Sequence, residues 1–285
     1  IMASMRNIKR RIKSVNSTQQ ITKAMNLVAS SKLTKAKQNF DDTKPFFNAI
    51  RRVIANVVKG AGNTDNVFLK SREVKNTGVV ILTGDRGLCG GYNTNACKTA
   101  LGITEGKSAS YITVGSKGFE FLKHKGCDFA QNYTGISEKP TYEDARDIGE
   151  KITQMYQNGD VDEVYLVYTE YISTIASEPK VMRLLPLDTE SLGESEKDNL
   201  TLTIYEPDDE TVLAYVIPKY INTVIYGALV ESSVCELTSR MTAMDSATDN
   251  ASQMLDTLNL HYNRARQGAI TQELTEIVSG SNALE

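Results

Sequence analysis

A glycine-rich segment, residues 84–91, is where residue types and spacing come nearest to known chemistry. Its sequence is GDRGLCGG, and it lies between a run that predicts a strand and a segment that predicts a helix. In that setting, backbone amides and a helix N-terminus can hold a phosphate group. The spacing matches neither the dinucleotide fingerprint Gly-x-Gly-x-x-Gly nor the P-loop, which needs Gly-Lys followed by Ser or Thr. We therefore favour a structural role, in which glycines allow a sharp turn, and keep nucleotide binding as the alternative.

Other groups capable of chemistry are few. The two histidines are His124, between two lysines, and His261. Neither has a nucleophile or a metal-ligand partner beside it in the sequence, so surface positions are favoured for both. The four cysteines are Cys89, Cys97, Cys127 and Cys235. Their spacing fits neither a metal site nor a redox motif, and predicts free thiols in a cytosolic protein. We predict no catalytic residue, no cofactor site and no metal site.

The elements that position the glycine-rich segment belong to the interior of the chain, residues 60–206. Apolar runs that predict strands alternate there with amphipathic segments that predict helices. Strands are predicted at residues 77–83, 110–114, 127–133, 163–171 and 180–187, and helices at 93–101, 117–125 and 142–157. Such alternation predicts a mostly parallel sheet in a Rossmann-like α/β domain, with the last strand reached by a turn or hairpin. The acidic, Ser- and Gly-containing segment 188–199 predicts a linker.

Two long helical arms flank this domain, and they carry opposite charge. Segment 1–59 has thirteen Lys or Arg residues against two acids, a net charge of +11. Segment 207–285 has four basic residues against eleven acids, a net charge of −7. Exposed ion pairs contribute only about 1 kcal/mol or less each, so an apolar seam must hold the arms together. The excess positive charge then predicts a basic face for an acidic partner.

Both arms show a heptad repeat, which predicts an antiparallel coiled coil. Positions spaced alternately by three and four residues in the first arm are Met5, Ile8, Ile12, Val15, Gln19, Thr22, Asn26, Ala29, Leu33, Ala36, Phe40, Thr43, Phe47, Ile50, Ile54 and Val57. Those in the second arm are Val234, Leu237, Met241, Met244, Thr248, Ala251, Leu255, Leu258, Tyr262, Ala265, Ala269 and Gln272. The polar block at residues 19–26 has two open interpretations, a register-setting device or a functional contact.

The two arms differ in length, and each contains a proline. At about 1.5 Å per residue, they would extend roughly 80 and 110 Å. The second arm is predicted to begin at Pro207, with acids in its first turn, and to overshoot the start of the first arm as a nearly single helix. Pro45 and Pro218 lie inside the arms, where each is expected to bend or interrupt its helix.

Composition argues against two classes of partner. The net charge of −3 and the absence of a recognised motif disfavour nucleic-acid binding, despite the basic first arm. We find no apolar run approaching the roughly 20 residues that span a bilayer, and no secretory signal at the start of the chain.

Several motifs make the chain resemble the gamma subunit of bacterial F-type ATP synthase. They are ITKAM at residues 21–25, DRGLCGG at 85–91, RARQ at 264–267 and ITQELTEI at 270–277. The resemblance covers the whole chain in the right order. It implies a non-catalytic rotor shaft, whose coiled coil stands inside a ring of three alpha and three beta subunits. The globular domain would lie against the epsilon subunit and the c-ring, at the cytoplasmic face of the bacterial cell membrane.

The resemblance also implies contact residues. Arg86, Arg266 and Gln267 match family positions that bind loops of the beta subunits, and Lys23 and Met25 match the lower rim of the ring. The residues that match the tip enclosed by the upper sleeve of the ring are Thr271, Gln272, Thr275 and Glu276. A redox insertion found in chloroplast members is lacking, so thiol switching is not expected.

Two other functions remain as alternatives to the rotor. One is a nucleotide-binding α/β enzyme whose helical arms dimerise. The other is a passive coiled-coil scaffold, which differs from a rotor only in that it does not turn. The domain boundaries that we predict are 1–59, 60–206 and 207–285.

Overall fold

The chain folds into two compact units, described here from a computed structural model that covers residues 5–60, 66–173, 176–187 and 209–282. One, the coil unit, comprises Ile1–Ala29 and Met241–Glu285, and the other, the α/β unit, comprises Ser30–Arg240. The elements in chain order are α1 (Met5–Gly60), β1 (Asn76–Leu82), α2 (Tyr92–Ile103), β2 (Ser108–Val114), α3 (Ser116–His124), β3 (Asp128–Tyr133), α4 (Tyr142–Asn158), β4 (Glu163–Ser173), β5 (Ala176–Leu185) and α5 (Asp209–Asn282). The predicted linker at 188–199 and the predicted helix start at Pro207 lie outside the described residues.

The α/β unit is built on a five-stranded sheet in the order β3-β2-β1-β4-β5. Strands β1 to β4 pair in parallel, and β5 pairs with β4 in an antiparallel hairpin. The order 3-2-1-4 of the parallel strands is that of Rossmann folds: β2 and β3 are added on one side of β1, and β4 is added on the other side. The predicted Rossmann-like domain with a final hairpin is therefore confirmed.

Helices cover both faces of this sheet because its central strands are apolar on both sides. In β1, Val79 and Ile81 pack with α2 and α3, whereas Val80 and Leu82 pack with α4 and α5. Successive side chains of a strand point to opposite faces, so an uninterrupted apolar run predicts two covered faces. Helix α4 begins with a capping box in which Thr141 and Asp144 satisfy each other's backbone amides.

The stretch of α5 within the α/β unit corrects one expectation about apolar runs. Helix α5 contains an 18-residue window with a mean hydropathy of 1.3, so length and composition alone would allow it to cross a membrane. The window is 56% buried in the fold. Leu213, Ile217 and Ile221 are 0% exposed in the core against the sheet. A core helix that is enclosed on several sides has the same composition as a spanning helix.

In the coil unit, α1 and α5 pair as an antiparallel coiled coil. The hydroxyl oxygens of Thr22 and Thr248 lie 2.8 Å apart, and the amide nitrogen of Asn26 donates to the carbonyl of Met241 at 3.0 Å. Every predicted seam position from residue 5 to 29 is buried or half-buried, as is every one from 241 to 269. Among the seam positions of the coil unit that the structure describes, Gln272 is the one that is exposed, so the seam prediction fails there.

The structure also bears on the expectations for the polar block in the seam and for the two prolines. Thr22 and Asn26 bond across the seam, so the register-setting interpretation is supported by direct contacts. The bend that each proline was also expected to cause stays a prediction, but Pro45 and Pro218 lie within continuous helices and interrupt neither. Burial explains this for Pro218, since its neighbours Ile217 and Ile221 are fixed in the core. The apolar area they bury offsets the roughly 3 kcal/mol that an internal proline costs.

Candidate partner-binding surfaces

The first part of α1 presents apolar side chains on the side away from the seam. Lys23 is exposed and Met25 is half-buried. Around them, Ile21, Leu27 and Val28 are 60%, 64% and 56% exposed. Adjacent exposed apolar side chains on a helix mark a surface that a partner covers. The structure therefore places the predicted contact residues Lys23 and Met25 within such a surface.

Helix α5 continues beyond the seam as an exposed tip, which we define as residues 270–280. All of its side chains are exposed. In the antiparallel register, each step towards the start of α1 is a step towards the end of α5, so the seam at Met5 is reached near Ala265. Arg266 and Gln267 lie there and are exposed. The predicted overshoot is thus present among the described residues.

The polar residues of the tip bond to their own helix. Thr271 and Thr275 donate to the carbonyl oxygens of Gln267 and Thr271, at 3.0 and 2.8 Å. Gln272 donates to Glu276 at 2.9 Å. Between them are the exposed apolar residues Ile270, Leu274, Ile277 and Val278. A helix that exposes this much apolar surface in water is stabilised when a partner encloses it.

The α/β unit carries the remaining predicted contact residue, Arg86, on the loop of residues 84–91. Asp85 fixes one side of the loop. Its carboxylate accepts from the amide and hydroxyl of Ser116, both at 3.1 Å, from the amide of Gly135 at 2.9 Å and from the hydroxyl of Ser137 at 3.0 Å. Burial raises the pKa of Asp85, but these hydrogen bonds together outweigh it and leave the pKa below its usual value. The Arg86 side chain itself is exposed.

Two buried charged residues of α5 lie on the other side of this loop. Glu236 and Arg240 are 1% and 6% exposed, and their side chains form an ion pair at 2.6 Å. The same Arg240 nitrogen donates to the carbonyl oxygens of Arg86 and Gly87, at 3.4 and 3.5 Å. Burial raises the pKa of Glu236 above its usual value, although the hydrogen bond from Arg240 opposes this.

This arrangement argues against the nucleotide-binding alternative. In Rossmann folds the ligand lies beyond the carboxyl ends of the strands, where the strand order reverses. Here α5 occupies that position. A methyl group on Gly84 would lie 2.7 Å from a carboxylate oxygen of Glu236. The amide of Tyr171, in β4, donates to Glu231, and the thiol of Cys235 donates to the carbonyl of Thr169. The crevice therefore holds protein carboxylates where a phosphate would have to bind.

The cysteines have the environments of structural thiols. Cys89, Cys97 and Cys235 are buried, and Cys127 is half-buried. Burial raises the pKa of the Cys97 thiol to about 12, and it also raises the pKa of the other three thiols. Thiols with raised pKa values are poor nucleophiles at neutral pH. In the part of the chain that the structure describes, no group of His, Cys, Asp or Glu side chains could hold a metal ion.

The sequence did not reveal the contacts that organise these surfaces. Glu236 and Arg240 have the helical spacing of four residues and are the two charged residues of segment 232–244, whose other residues are apolar or small and polar. That contrast was the available signal. Lys32 likewise forms an ion pair with Glu138. The hydrogen bond from Lys32 is the main reason why the pKa of Glu138 is lowered. No local pattern links residues so distant in sequence.

Known proteins match the chain over its whole length. A family model described as ATP synthase matches residues 4–284. The ATP synthase gamma chain of Alkaliphilus metalliredigens is 48% identical over 285 residues, 99% of each chain. The sodium ion specific gamma chain of Acetobacterium woodii is 43% identical over 298 residues, again 99% of each chain.

Solved structures agree on the fold. The central stalk and c-ring structure of Tetrahymena thermophila mitochondrial ATP synthase contains a chain with a TM-score of 0.62 and 26% identity, covering 80% of this chain and 99% of that one. The rotor of Euglena gracilis mitochondrial ATP synthase gives a TM-score of 0.69 at 16% identity, over 94% and 99% of the two chains. With the family model and full-length relatives in agreement, the chain belongs to the family of ATP synthase gamma chains.

Proposed function

We propose that the chain is the central rotor shaft of an F-type ATP synthase, which couples ion-driven rotation of the membrane c-ring to ATP synthesis or hydrolysis at the beta subunits. The observation that carries this function is the coil unit. Two helices pair along a seam that ends at Ala269, and α5 continues alone with its apolar residues exposed. The relatives' shared name of gamma chain supports the same role.

Alpha and beta subunits are the partners that we infer for the coil unit. A ring of these subunits would cover the exposed apolar residues of α1 and enclose the tip. For the α/β unit we infer the epsilon subunit and the c-ring, with the complex at the cytoplasmic face of a bacterial cell membrane. Two solved structures support such an assembly in their own organisms: the central stalk with the c-ring of Tetrahymena thermophila mitochondrial ATP synthase, and F1 with the c-ring of Euglena gracilis mitochondrial ATP synthase.

The mechanism follows from stiffness and asymmetry. Paired helices that bury a continuous seam resist bending and can transmit torque, and the small seam residues Ala29 and Ala251 keep the shaft narrow. Beyond Ala269 one helix remains, so the shaft has no rotational symmetry. Each surrounding catalytic subunit would then contact a different face. A ligand or shaft can shift a conformational equilibrium only through such differential contacts.

Specific contacts can be proposed for the exposed residues. Arg86 and Arg266 each offer a planar guanidinium that can bind a carboxylate through two hydrogen bonds, and Gln267 lies beside Arg266. We assign all three to acidic loops of the beta subunits, and Lys23 and Met25 to the lower rim of the ring. The tip residues Thr271, Gln272, Thr275 and Glu276 are assigned to an enclosing apolar sleeve.

Single-molecule rotation tests this function directly. The chain is assembled with alpha and beta subunits, and a probe is attached through Lys98→Cys, an exposed position on α2. Addition of ATP is expected to turn the probe in steps in one direction. An assembly that hydrolyses ATP while the probe stays still would contradict the rotor and favour the passive scaffold.

The isolated chain provides the second test. The rotor function predicts no ATP hydrolysis by the isolated chain, because the family's nucleotide sites lie on other subunits. Equilibrium dialysis against labelled nucleotide is expected to show no saturable binding. Saturable binding or enzyme-like turnover would instead support the nucleotide-binding enzyme.

A further inference from the structure

The loop of residues 84–91 has a conformation that requires support from outside the loop. Leu88 adopts a φ of +62°, and Gly90 a φ of +57°. Positive φ is uncommon for a residue with a branched side chain such as leucine, and it costs free energy. Leu88 is also 63% exposed, so burial of its own side chain does not stabilise it there. Strained backbone persists only where surrounding contacts determine it.

Two of those contacts hold the start of the loop to the sheet. The carboxylate of Asp85 accepts four hydrogen bonds from residues after β2 and β3. The amide of Gly84 donates to the side chain of Asn93 at 2.8 Å, which ties the loop to α2. These contacts fix residues 84 and 85. The carbonyl of Arg86 also accepts from the side-chain amide of Asn93 at 3.4 Å and from the thiol of Cys89 at 3.8 Å. Both bonds are long and weak, so Arg86 and Gly87 need a third contact, from outside the loop and α2.

Arg240 of α5 supplies that third contact. Its Nη2 nitrogen bonds to Glu236 at 2.6 Å, and the same nitrogen lies 3.4 and 3.5 Å from the carbonyl oxygens of Arg86 and Gly87. The two carbonyl bonds are long, so each is weak alone. They are made by a charged donor, however, and they converge on adjacent peptide groups of the strained segment.

Glu236 fixes the position of this guanidinium. The pair is almost wholly buried, at 2% and 8% side-chain exposure. A buried ion pair adds little net stability on average, because desolvation of the two charges offsets their attraction. What it provides is direction: a planar guanidinium anchored on one edge presents its remaining N–H groups at fixed angles. Glu236 also leaves no room for a side chain at residue 84.

We propose that Glu236 and Arg240 are positioning residues that hold the 84–91 loop so that the Arg86 guanidinium is presented to a carboxylate-bearing partner surface. This inference rests on the proposed rotor function for the partner contact, but the holding of the loop can be tested without it. Arg86 makes the contact, and Arg240 acts through the backbone of Arg86 and not through the partner.

Amide hydrogen exchange of the full chain tests the holding of the loop. Arg240→Lys keeps a positive charge near Glu236 but lacks the planar fork. We expect loop amides from residue 84 to 92 to exchange about tenfold faster in this variant, through local opening, while amides of β1 stay unchanged. Arg146→Lys is the matched control, since Arg146 and Glu150 form an exposed pair with the same spacing. Unchanged loop exchange in Arg240→Lys, or acceleration spread equally over β1, would overturn the proposal.

A variant that disturbs the fold is handled by a second substitution. If Arg240→Lys loses helix content by circular dichroism, Glu236→Gln takes its place. It keeps the shape of the side chain but weakens the anchor of Arg240. Faster exchange confined to residues 84–92 supports the proposal, and unaltered exchange contradicts it.

Epistasis in the assembled complex tests the connection to the partner. In an assembly with alpha and beta subunits, Arg86→Ala and Arg240→Lys are each expected to lower ATP-driven rotation rates about threefold. The double variant should match Arg86→Ala alone, because Arg240 has nothing left to position. Multiplied effects would indicate an independent structural role and refute positioning. If even the unaltered chain does not rotate, the rotor function fails, and hydrogen exchange alone decides whether Arg240 holds the loop.

Discussion

The two halves of α5 are covered in different ways. Up to Arg240 the helix is buried on most of its circumference by the sheet, α4 and the chain's own loops. From Met241 onwards the covered positions are those of the seam together with Ala243 and Ala247, and beyond Ala269 no face is covered by described residues. One helix thus passes from a part that is buried by its own chain to a part whose apolar residues are exposed.

The two halves of α5 therefore use their apolar side chains differently. The first half of α5 stabilises a unit that can hold its own loops in place, as Arg240 holds residues 86 and 87. The second half keeps apolar side chains such as Ile277 accessible at 68% exposure. Exposed apolar surface of this extent carries a solubility cost, and binding to a partner removes it.

The largest effect is expected when apolar volume is removed from each half of α5. Ile221→Ala empties part of the core at a fully buried position. We expect it to lower the free energy of unfolding by about 2–5 kcal/mol, because cavity formation adds to lost burial. The matched change Ile277→Ala, at an exposed position of the same helix, should alter it by less than about 0.5 kcal/mol. Urea unfolding of the full chain, followed by circular dichroism, measures both. Equal changes in the free energy of unfolding would show that the two halves of α5 do not differ in this way.

The converse test asks what the tip does when partners are present. A charge at Ile277, introduced as Ile277→Asp, leaves the isolated chain unaffected but must be desolvated when a sleeve encloses the tip. We expect affinity for the alpha and beta subunits to fall about tenfold or more. Ser279→Asp, two residues on, is the control for added charge alone. Binding is followed by titration of the assembly. Normal assembly by Ile277→Asp would show that the tip is not enclosed.

Periodicity in the sequence was enough to predict both the sheet and the seam. Each predicted strand and helix of the interior is present within a few residues of its predicted bounds. Alternation and heptad spacing report which face of an element is covered, and that information is local. What covers the face is not local. The same rule therefore included Gln272 in the seam, although α1 offers no described residue opposite it.

The loop of residues 84–91 shows a second limit of prediction from the sequence. Its glycines correctly indicated a sharp turn, and the absence of a phosphate motif correctly weakened the enzyme alternative. Yet Glu236 and Arg240 come about 150 residues later, and nothing in their spacing says which loop they contact. The contact residues assigned by resemblance, such as Arg266 and Gln267, lie exposed and stay predictions until partner subunits are present.

A smaller effect is expected at the polar contact within the seam. The hydroxyls of Thr22 and Thr248 meet across the coil at 2.8 Å. Each lies within donating distance of a carbonyl of its own helix, at Gln19 and Met244. Because a hydroxyl has one proton, one threonine donates across the seam and the other donates to its own helix and accepts across the seam. Thr22→Val should cost about 1 kcal/mol of coil stability, because it leaves the facing hydroxyl without its cross-seam partner. The double variant Thr22→Val with Thr248→Val should recover most of that loss. A double-mutant cycle by thermal unfolding gives the coupling energy. Additive losses would mean that the two hydroxyls do not interact.

The smallest effect is a difference in pH dependence between two carboxylates of the α/β unit. Burial raises the pKa of Asp85, but its hydrogen bonds together outweigh this effect and leave the pKa below its usual value. The unfolded chain therefore binds the proton more tightly. Asp85 stabilises the fold above about pH 4, and this contribution is lost as the pH falls through its folded pKa. Burial raises the pKa of Glu236, so its contribution has the opposite sign and favours the fold as the pH falls.

Substitution by the neutral amide separates the two carboxylates. Urea unfolding between pH 3 and 7 should show that Asp85→Asn loses less stability on acidification than the unaltered chain, because the titrating group is gone. Glu236→Gln should lose more, since the favourable protonation of a buried carboxyl has been removed. The slopes of unfolding free energy against pH give the result. If both variants shift the slope in the same direction, the two sides of the loop are not held by carboxylates in opposite electrostatic environments.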